Sequence, residues 1–329
     1  MDLGSFGTML LETFKKFDDF ELLDSGLGYR LERWGNVILQ RPDPQIIWQC
    51  SLPNDEWEKA DAIFETPSGT ERGRWEIKTQ LPYPWVIKFH HPHLTSPIKG
   101  EEPAGVKFLL KLSPFKHTGL FAEQAAQWDF MIERLKDLKI ERFKILNLFA
   151  YTGGATMVLA KAGCQVTHVD ASKPAITWAN ENAALNKLAK ESVRWILDDA
   201  AKFVKRELKR GVKYDGIIMD PPAFGHSPTG KTWKFNDDLP GLLSDCVELL
   251  SENAKFLIVN GYATNSSALA LNNLLEDSIN SRAGTSRSRE ATAGKIDFGE
   301  LCLKQKNRPG ATVGAGRMIC TGIFARWQS

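Results

Sequence analysis

Downstream of Phe115 the chain alternates between short apolar runs and longer stretches whose apolar residues recur every three or four positions. Short apolar or alternating runs read as strands, and the longer periodic stretches read as amphipathic helices. Strands are expected at about 143–149, 165–170, 193–197, 214–220, 254–260 and 317–327, with helices between them. Such alternation is the pattern of βαβ units on a parallel sheet, which predicts a doubly wound α/β domain over 106–329. Upstream the pattern differs. From Tyr29 to Phe115 the chain is rich in Trp, Pro, Thr and Gly, with extended runs such as Arg30-Leu-Glu-Arg-Trp34 and Asn36-Val-Ile-Leu-Gln40. Those are strands separated by turn residues, so 1–105 is expected to form a small, mainly β domain with a possible role in substrate recognition. Residues 1–24 are expected to form a short amphipathic helix; they lack the basic segment and unbroken apolar stretch of a secretory signal.

Composition narrows this picture. A chain of 329 residues exceeds what one core usually fills, which favours two domains. No apolar run approaches the roughly 20 residues that span a bilayer, so no membrane association is expected. Five cysteines, Cys50, Cys164, Cys246, Cys302 and Cys320, are scattered and form no Cys-x-x-Cys pair. That spacing predicts neither a disulfide framework nor a zinc site, and points to a reducing, cytoplasmic setting without a metal. Residues 81–93, LPYPWVIKFHHPH, concentrate aromatics and histidines. A proline-broken strand with a core Trp is favoured there over a base-stacking or metal-binding surface, since no convergent ligands stand out. The net charge of +2 conceals an asymmetry: 1–105 carries 11 Lys/Arg against 17 Asp/Glu, and 106–329 carries 31 against 23. An anionic partner is therefore expected to meet the C-terminal part.

The strongest chemical signal is Lys144-Ile-Leu-Asn-Leu-Phe-Ala-Tyr-Thr-Gly-Gly154, an apolar strand running into a glycine pair that opens a helix. A second strand then ends in Val169-Asp170-Ala171-Ser172. In a doubly wound sheet the ligand lies beyond the carboxyl ends of the strands, where glycines admit it closely and an acid can bond both ribose hydroxyls. The loop Phe149, Ala150, Tyr151, Thr152, Gly153 and Gly154 lacks the Gly-x-Gly-x-x-Gly spacing that a dinucleotide pyrophosphate requires. S-adenosylmethionine has no phosphate and needs no such nest. A third strand leads into Asp198-Asp199-Ala200; one acid of the pair is read as an adenine contact, with Asp199 favoured, and the other as a helix N-cap. Thr118, Gly119, Phe121 and Gln124 precede a helix, either as an ordinary turn or as a segment closing over the methionine end of the cofactor.

The fourth strand ends Met219-Asp220-Pro221-Pro222-Ala223-Phe224. The prolines fix their own φ angles, and the second restricts the first, so the local carbonyls are rigidly aimed. Rigid acceptors suit an amino or ring-nitrogen nucleophile, with Asp220 accepting its hydrogen bond or proton and Phe224 stacking on a planar base. Methyl transfer is an in-line displacement, so alignment supplies much of the acceleration.

The ordered motifs T-G-L-F-x-x-Q, N-L-F-A-Y-T-G-G, V-D-A-S, D-D-A and D-P-P-A-F resemble those of the bacterial 23S ribosomal RNA methyltransferases, a class I S-adenosylmethionine-dependent group that includes cytosine-C5 enzymes and the guanine-N7 half of a fused enzyme. The resemblance covers about 105–327. It implies a seven-stranded Rossmann-like sheet, S-adenosylmethionine as methyl donor, and ribosomal RNA as acceptor. It also implies cofactor contacts from the segments around Thr118, Phe149, Asp170 and Asp199, and catalysis by Asp220, Pro221, Pro222 and Phe224. The chain departs from the group at Glu123-Gln124-Ala125, where relatives carry Asp-Gln-Arg. In the cytosine-C5 enzymes a nucleophilic cysteine follows the fifth strand; the corresponding run Phe256-Leu-Ile-Val-Asn-Gly-Tyr-Ala-Thr264 has none, which points to a nitrogen acceptor. The alternatives are a methyltransferase for a small molecule or protein, for which the acidic N-terminal part speaks, and a non-catalytic nucleoside- or RNA-binding module.

Overall fold

The computed structural model describes residues 9–66, 72–94, 105–136, 143–226, 232–285, 294–306 and 316–329. The chain divides into two compact units, one of Thr13–Ala126 with Cys302–Ile319, the other of Met1–Glu12, Gln127–Leu301 and Cys320–Ser329.

The first strand, β1 (Leu10–Glu12), belongs to the second of these units. The β-rich unit then follows in chain order: β2 (Phe20–Gly26), β3 (Tyr29–Trp34), β4 (Val37–Pro42), the single-turn helix α1 (Asn54–Trp57), β5 (Ala62–Glu65), β6 (Arg74–Ile77), β7 (Trp85–Phe89) and β8 (Val106–Leu110). β2 to β6 form a five-stranded sheet in sequential order, and β7 pairs with β8. A register shift between Leu22 and Asp24 turns the Asp24 side chain inward. There its carboxylate accepts hydrogen bonds from Ser51, Leu52, Trp57 and Gln305, so a buried charge is fully surrounded by donors. Trp85, Ile87 and Phe89 are buried, as expected of a strand with a core Trp within 81–93.

The expected N-terminal helix is not formed: described residues before 27 hold β1 and β2 instead. The spacing of Phe14, Phe17 and Phe20 imitates a helical face. Those rings are used by tertiary packing, with Phe17 edge-on to Phe89 at 5.5 Å and Phe20 edge-on to Trp34 at 4.6 Å.

The rest of the chain runs α2 (Ala125–Leu135), β9 (Lys144–Leu148), α3 (Gly154–Lys161), β10 (Gln165–Asp170), α4 (Lys173–Leu185), β11 (Val193–Leu197), α5 (Ala200–Lys209), β12 (Gly216–Met219), β13 (Phe224–His226), β14 (Thr232–Lys234), α6 (Phe235–Leu249), β15 (Phe256–Gly261), α7 (Ala268–Thr285), β16 (Lys295–Lys304) and β17 (Met318–Gln328). The sheet order is β1-β16-β17-β15-β12-β9-β10-β11, parallel through β15, β12, β9, β10 and β11, with β17 antiparallel to β15. Seven strands make the expected methyltransferase-type sheet; the eighth is the short β1, which pairs parallel with β16. Leu146, Leu148, Ile217, Met219, Leu257 and Val259 are fully buried and join Phe203, Leu243 and Val247 in one core. Burying each such side chain is worth roughly 1.5–3 kcal/mol, which holds the central strand ends in place.

Candidate active site

Winding reverses at β9: β10 and β11 lie on one side of it, and β12 and β15 on the other. A ligand of such a sheet sits in the crevice outside the carboxyl ends at this switch point. The loops that leave β9 and β12 are the two strongest sequence motifs.

After β9 the chain turns into α3 with Phe149, Tyr151 and Gly153 in left-handed conformation, at φ 54°, 49° and 85°. At a non-glycine residue this costs about 1–3 kcal/mol and persists where neighbours over-determine it. Here Ala150 N–H donates to the Val169 carbonyl at 3.1 Å, and Asn182 Nδ2 donates to the Thr152 carbonyl at 2.9 Å. At Gly153 a Cβ would meet Met157 Cε at 3.0 Å, so the glycine keeps the turn tight as well as left-handed.

Asp170, at the end of β10, accepts the Tyr151 N–H on Oδ2 and the Ser172 N–H on Oδ1, each at 2.8 Å. Burial raises its pKa above the ordinary carboxylate value, and the two N–H donors work against that rise. An ionised carboxylate offers about four acceptor positions, so two remain for a diol. Beneath the loop, Asn147 Nδ2 donates to Thr156 Oγ1 at 3.0 Å, and Thr156 Oγ1 lies 2.9 Å from His168 Nδ1. Burial pushes His168 down to about 3, so this ring is neutral and joins β9, α3 and β10 by hydrogen bonds. Ser172 caps α4 through the Ala175 N–H. Ala171 and Gly154 lie next to these contacts, at the start of the β10–α4 turn and of α3.

Beyond β11, the helix cap falls to Asp199, whose Oδ1 accepts the Lys202 N–H at 2.9 Å, with Ala200 as the first helical residue. Asp198 pairs with Arg206, and its N–H donates to the Asp170 carbonyl at 3.1 Å. The cap occupies one oxygen of Asp199, and the carboxylate retains further acceptor positions.

At the end of β12 the Asp220 N–H donates to the Leu148 carbonyl at 3.4 Å, which ties the Asp-Pro-Pro motif to the end of β9. Pro221 is buried and Pro222 is exposed. The Pro222 carbonyl accepts Trp233 Nε1 at 2.8 Å, and the Ala223 carbonyl accepts the Phe235 N–H at 3.0 Å. These bonds pin the β13–β14 hairpin, whose Phe224 is 73% exposed. Trp233 packs 5.1 Å from Phe149 and so links this hairpin to the first loop. Sequence reasoning missed Trp233, Asn182 and the Asn147–Thr156–His168 chain. The polar residues Asn147 and His168, buried within β9 and β10, hint at the last of these, and nothing local marks the other two.

Thr118, Gly119, Phe121 and Gln124 lie in the β-rich unit. Their segment is held by the Thr118 carbonyl accepting the Lys111 N–H at 3.2 Å and by Arg41 Nη1 donating to the Lys116 carbonyl at 2.9 Å. Gly119 is left-handed at φ 95°, and the His117 and Phe121 rings lie 5.0 Å apart. Thr118 is fully buried, and its Oγ1 has no hydrogen-bond partner among the described residues.

A family model described as S-adenosylmethionine-dependent methyltransferase matches residues 98–285. The chain belongs to this family. A SAM-dependent methyltransferase from Agrobacterium tumefaciens, known from its crystal structure, shares 34% identity with a TM-score of 0.82, over 99% of this chain and 97% of that one. A methyltransferase structure from Streptococcus mutans superposes with a TM-score of 0.61 at 17% identity over 95% and 76% of the two chains, which shows the common fold. The ribosomal RNA large subunit methyltransferase K/L of Shewanella sp. (strain MR-4) is 33% identical over 159 residues, 47% of this chain and 22% of that protein. The ribosomal RNA large subunit methyltransferase I of Escherichia coli is 34% identical over 216 residues, 65% of this chain and 48% of that protein. The match thus spans about a fifth of the first of these relatives and about half of the second.

The methyltransferase uses S-adenosylmethionine, which supplies an electrophilic methyl group on a sulfonium. The half-buried, doubly oriented carboxylate of Asp170 and the tight turn at Gly153 fit a nucleoside diol and a close-lying ligand. No helix among the described residues is long and apolar enough to cross a membrane.

Proposed function

We propose that this methyltransferase methylates a base nitrogen of ribosomal RNA. The observation that carries the reading is the exposed Phe224 on a pinned hairpin directly after Asp220-Pro221-Pro222. An aromatic ring held in solvent is a stacking platform for a base taken out of its helix. Because the Pro222 carbonyl is engaged by Trp233, Asp220 and the Pro221 carbonyl act as acceptors that orient the nucleophilic N–H. Phe149, Ala150, Tyr151, Thr152, Gly153 and Gly154 line the cofactor's approach, Asp170 takes the ribose with Ala171 and Ser172, and Asp199 with Ala200 takes the adenine edge. The β-rich N-terminal part contributes to substrate recognition. The names of the partial relatives support an RNA acceptor.

The state of the cysteines supports transfer to nitrogen. Cytosine C5 needs prior attack by a thiolate. Burial raises the thiol pKa of Cys246 and Cys50, and pushes Cys164 up to about 12. Cys302 is also buried, and β15 contains no cysteine. Each single Cys→Ser substitution is therefore expected to retain turnover on RNA, apart from losses traceable to stability. Nucleoside mass spectrometry of ribosomal RNA treated with enzyme and isotopically labelled S-adenosylmethionine is expected to show a nitrogen-methylated base. Labelled 5-methylcytosine, with a covalent adduct to 5-fluorocytosine RNA, would overturn the nitrogen assignment. Label entering only protein or small molecules would overturn the RNA acceptor.

Arg287 and Arg289, basic residues of the C-terminal part that an anionic partner is expected to meet, lie outside the described residues.

A further inference from the structure

Between Lys187 and Lys213 the chain carries nine Lys/Arg against four Asp/Glu, and all nine cations are exposed. Three of the four acids are committed locally. Asp199 caps α5, Asp198 pairs with Arg206, and the fully buried Glu207 takes Tyr214 Oη at 2.8 Å, Arg210 at 3.0 Å and Arg194 at 3.4 Å. α5 itself is divided lengthwise. Ala200, Phe203, Val204 and Glu207 form its buried stripe, and Lys202, Lys205, Arg206 and Lys209 form the opposite one. At 1.5 Å per residue the cationic stripe is about 10 Å long.

This arrangement carries an energetic cost within the protein. Lys202 with Arg206 and Lys205 with Lys209 are like-charge i,i+4 pairs, which destabilise a helix, whereas a merely solvated face would intersperse the two signs. A polyanion along the stripe removes that repulsion. The position is also suitable. α5 starts at the carboxyl edge of the sheet, where the cofactor loops lie. β11 and β12 are three inter-strand steps apart, about 14 Å at roughly 4.8 Å each, so the stripe begins within a short reach of Asp220.

We infer that the exposed face of α5 is a docking surface for the phosphate backbone of the RNA whose base enters the active site. The inference rests on the RNA reading above and assigns that RNA its path on the enzyme. The surface reads no sequence; it positions, as phosphate contacts do.

The test compares the parent with the triple variant Lys202→Gln, Lys205→Gln, Lys209→Gln. Fluorescence anisotropy with a fluorescein-labelled mixed-sequence oligoribonucleotide is followed across a salt series. Each lost phosphate contact lowers the slope of log affinity against log salt by about 0.7 for a single strand, so the variant is expected to be shallower by about two units. The corresponding triple Lys→Arg variant should restore the parental slope; S-adenosylmethionine affinity should be unchanged in both, and the melting temperature of the triple Gln variant should be no lower than the parent's, since two like-charge pairs are removed. A triple Gln variant with the parental slope overturns the α5 surface and leaves the RNA reading standing. A parent that binds this RNA without salt dependence overturns both.

Discussion

Asp220→Ala is expected to lower kcat by about 10²–10⁴-fold, the usual contribution of a positioned acid–base or orienting group, while cofactor affinity stays within about twofold of the parent. The separation follows from geometry. Asp220 follows β12, the strand next to β9, whereas Asp170, the proposed ribose contact, closes β10 on the other side of β9. Methyl transfer to a nitrogen requires the lone pair, the methyl carbon and the sulfur to lie on one line, and most of what a protein can add is that alignment. The elements that hold Asp220 are stiff: a strand of four buried residues before it, two prolines after it, and the Trp233–Pro222 bond closing the hairpin. Asp220→Asn keeps one acceptor oxygen and should lose less than alanine does. Single-turnover rates on RNA, with calorimetry of cofactor binding, read the two effects separately. Equal losses in rate and cofactor affinity would make Asp220 a binding or structural residue.

The α/β part of the fold was legible because its central strands β9, β10, β12 and β15 are buried on both faces and read as short apolar runs, set apart from the longer periodic helices between them. Residues 165–170 and 193–197 are strands as expected. β16 was not legible. Lys295–Lys304 carries Asp297 and Gly299, which suggest a break, yet Gly299 is there because a Cβ would come within 1.9 Å of the Leu10 carbonyl of the neighbouring strand. The N-terminal helix failed for the converse reason, a local helical spacing of phenylalanines overridden by aromatic partners distant in sequence. At the site, the residues carried by glycine, proline and acid spacing were readable. Those whose role depends on a non-local bond were not: Trp233 matters through the Pro222 carbonyl, and Asn182 through that of Thr152.

Asp170→Ala is expected to weaken S-adenosylmethionine binding by roughly 1.5–3 kcal/mol, about 10- to 150-fold, the value of charge-assisted hydrogen bonds to a diol. Each oxygen of Asp170 already accepts one backbone N–H, so its orientation is set before the ligand arrives and little ordering entropy remains to be lost. The same burial that orients the carboxylate raises its pKa in the cofactor-free protein. Ribose hydroxyls donate to the ionised form, so binding favours ionisation and lowers the pKa again. Affinity should therefore be at its plateau above the raised pKa and fall as pH drops through it, about tenfold per unit, beginning at a higher pH than an unperturbed carboxylate would give. In Asp170→Asn this dependence should vanish while affinity stays low at every pH, because the amide keeps one acceptor and has no proton to exchange. The test is titration calorimetry across a pH series on the parent and both variants. An alanine variant that binds within twofold of the parent, or an asparagine variant that keeps the parental pH profile, would place the ribose on another residue.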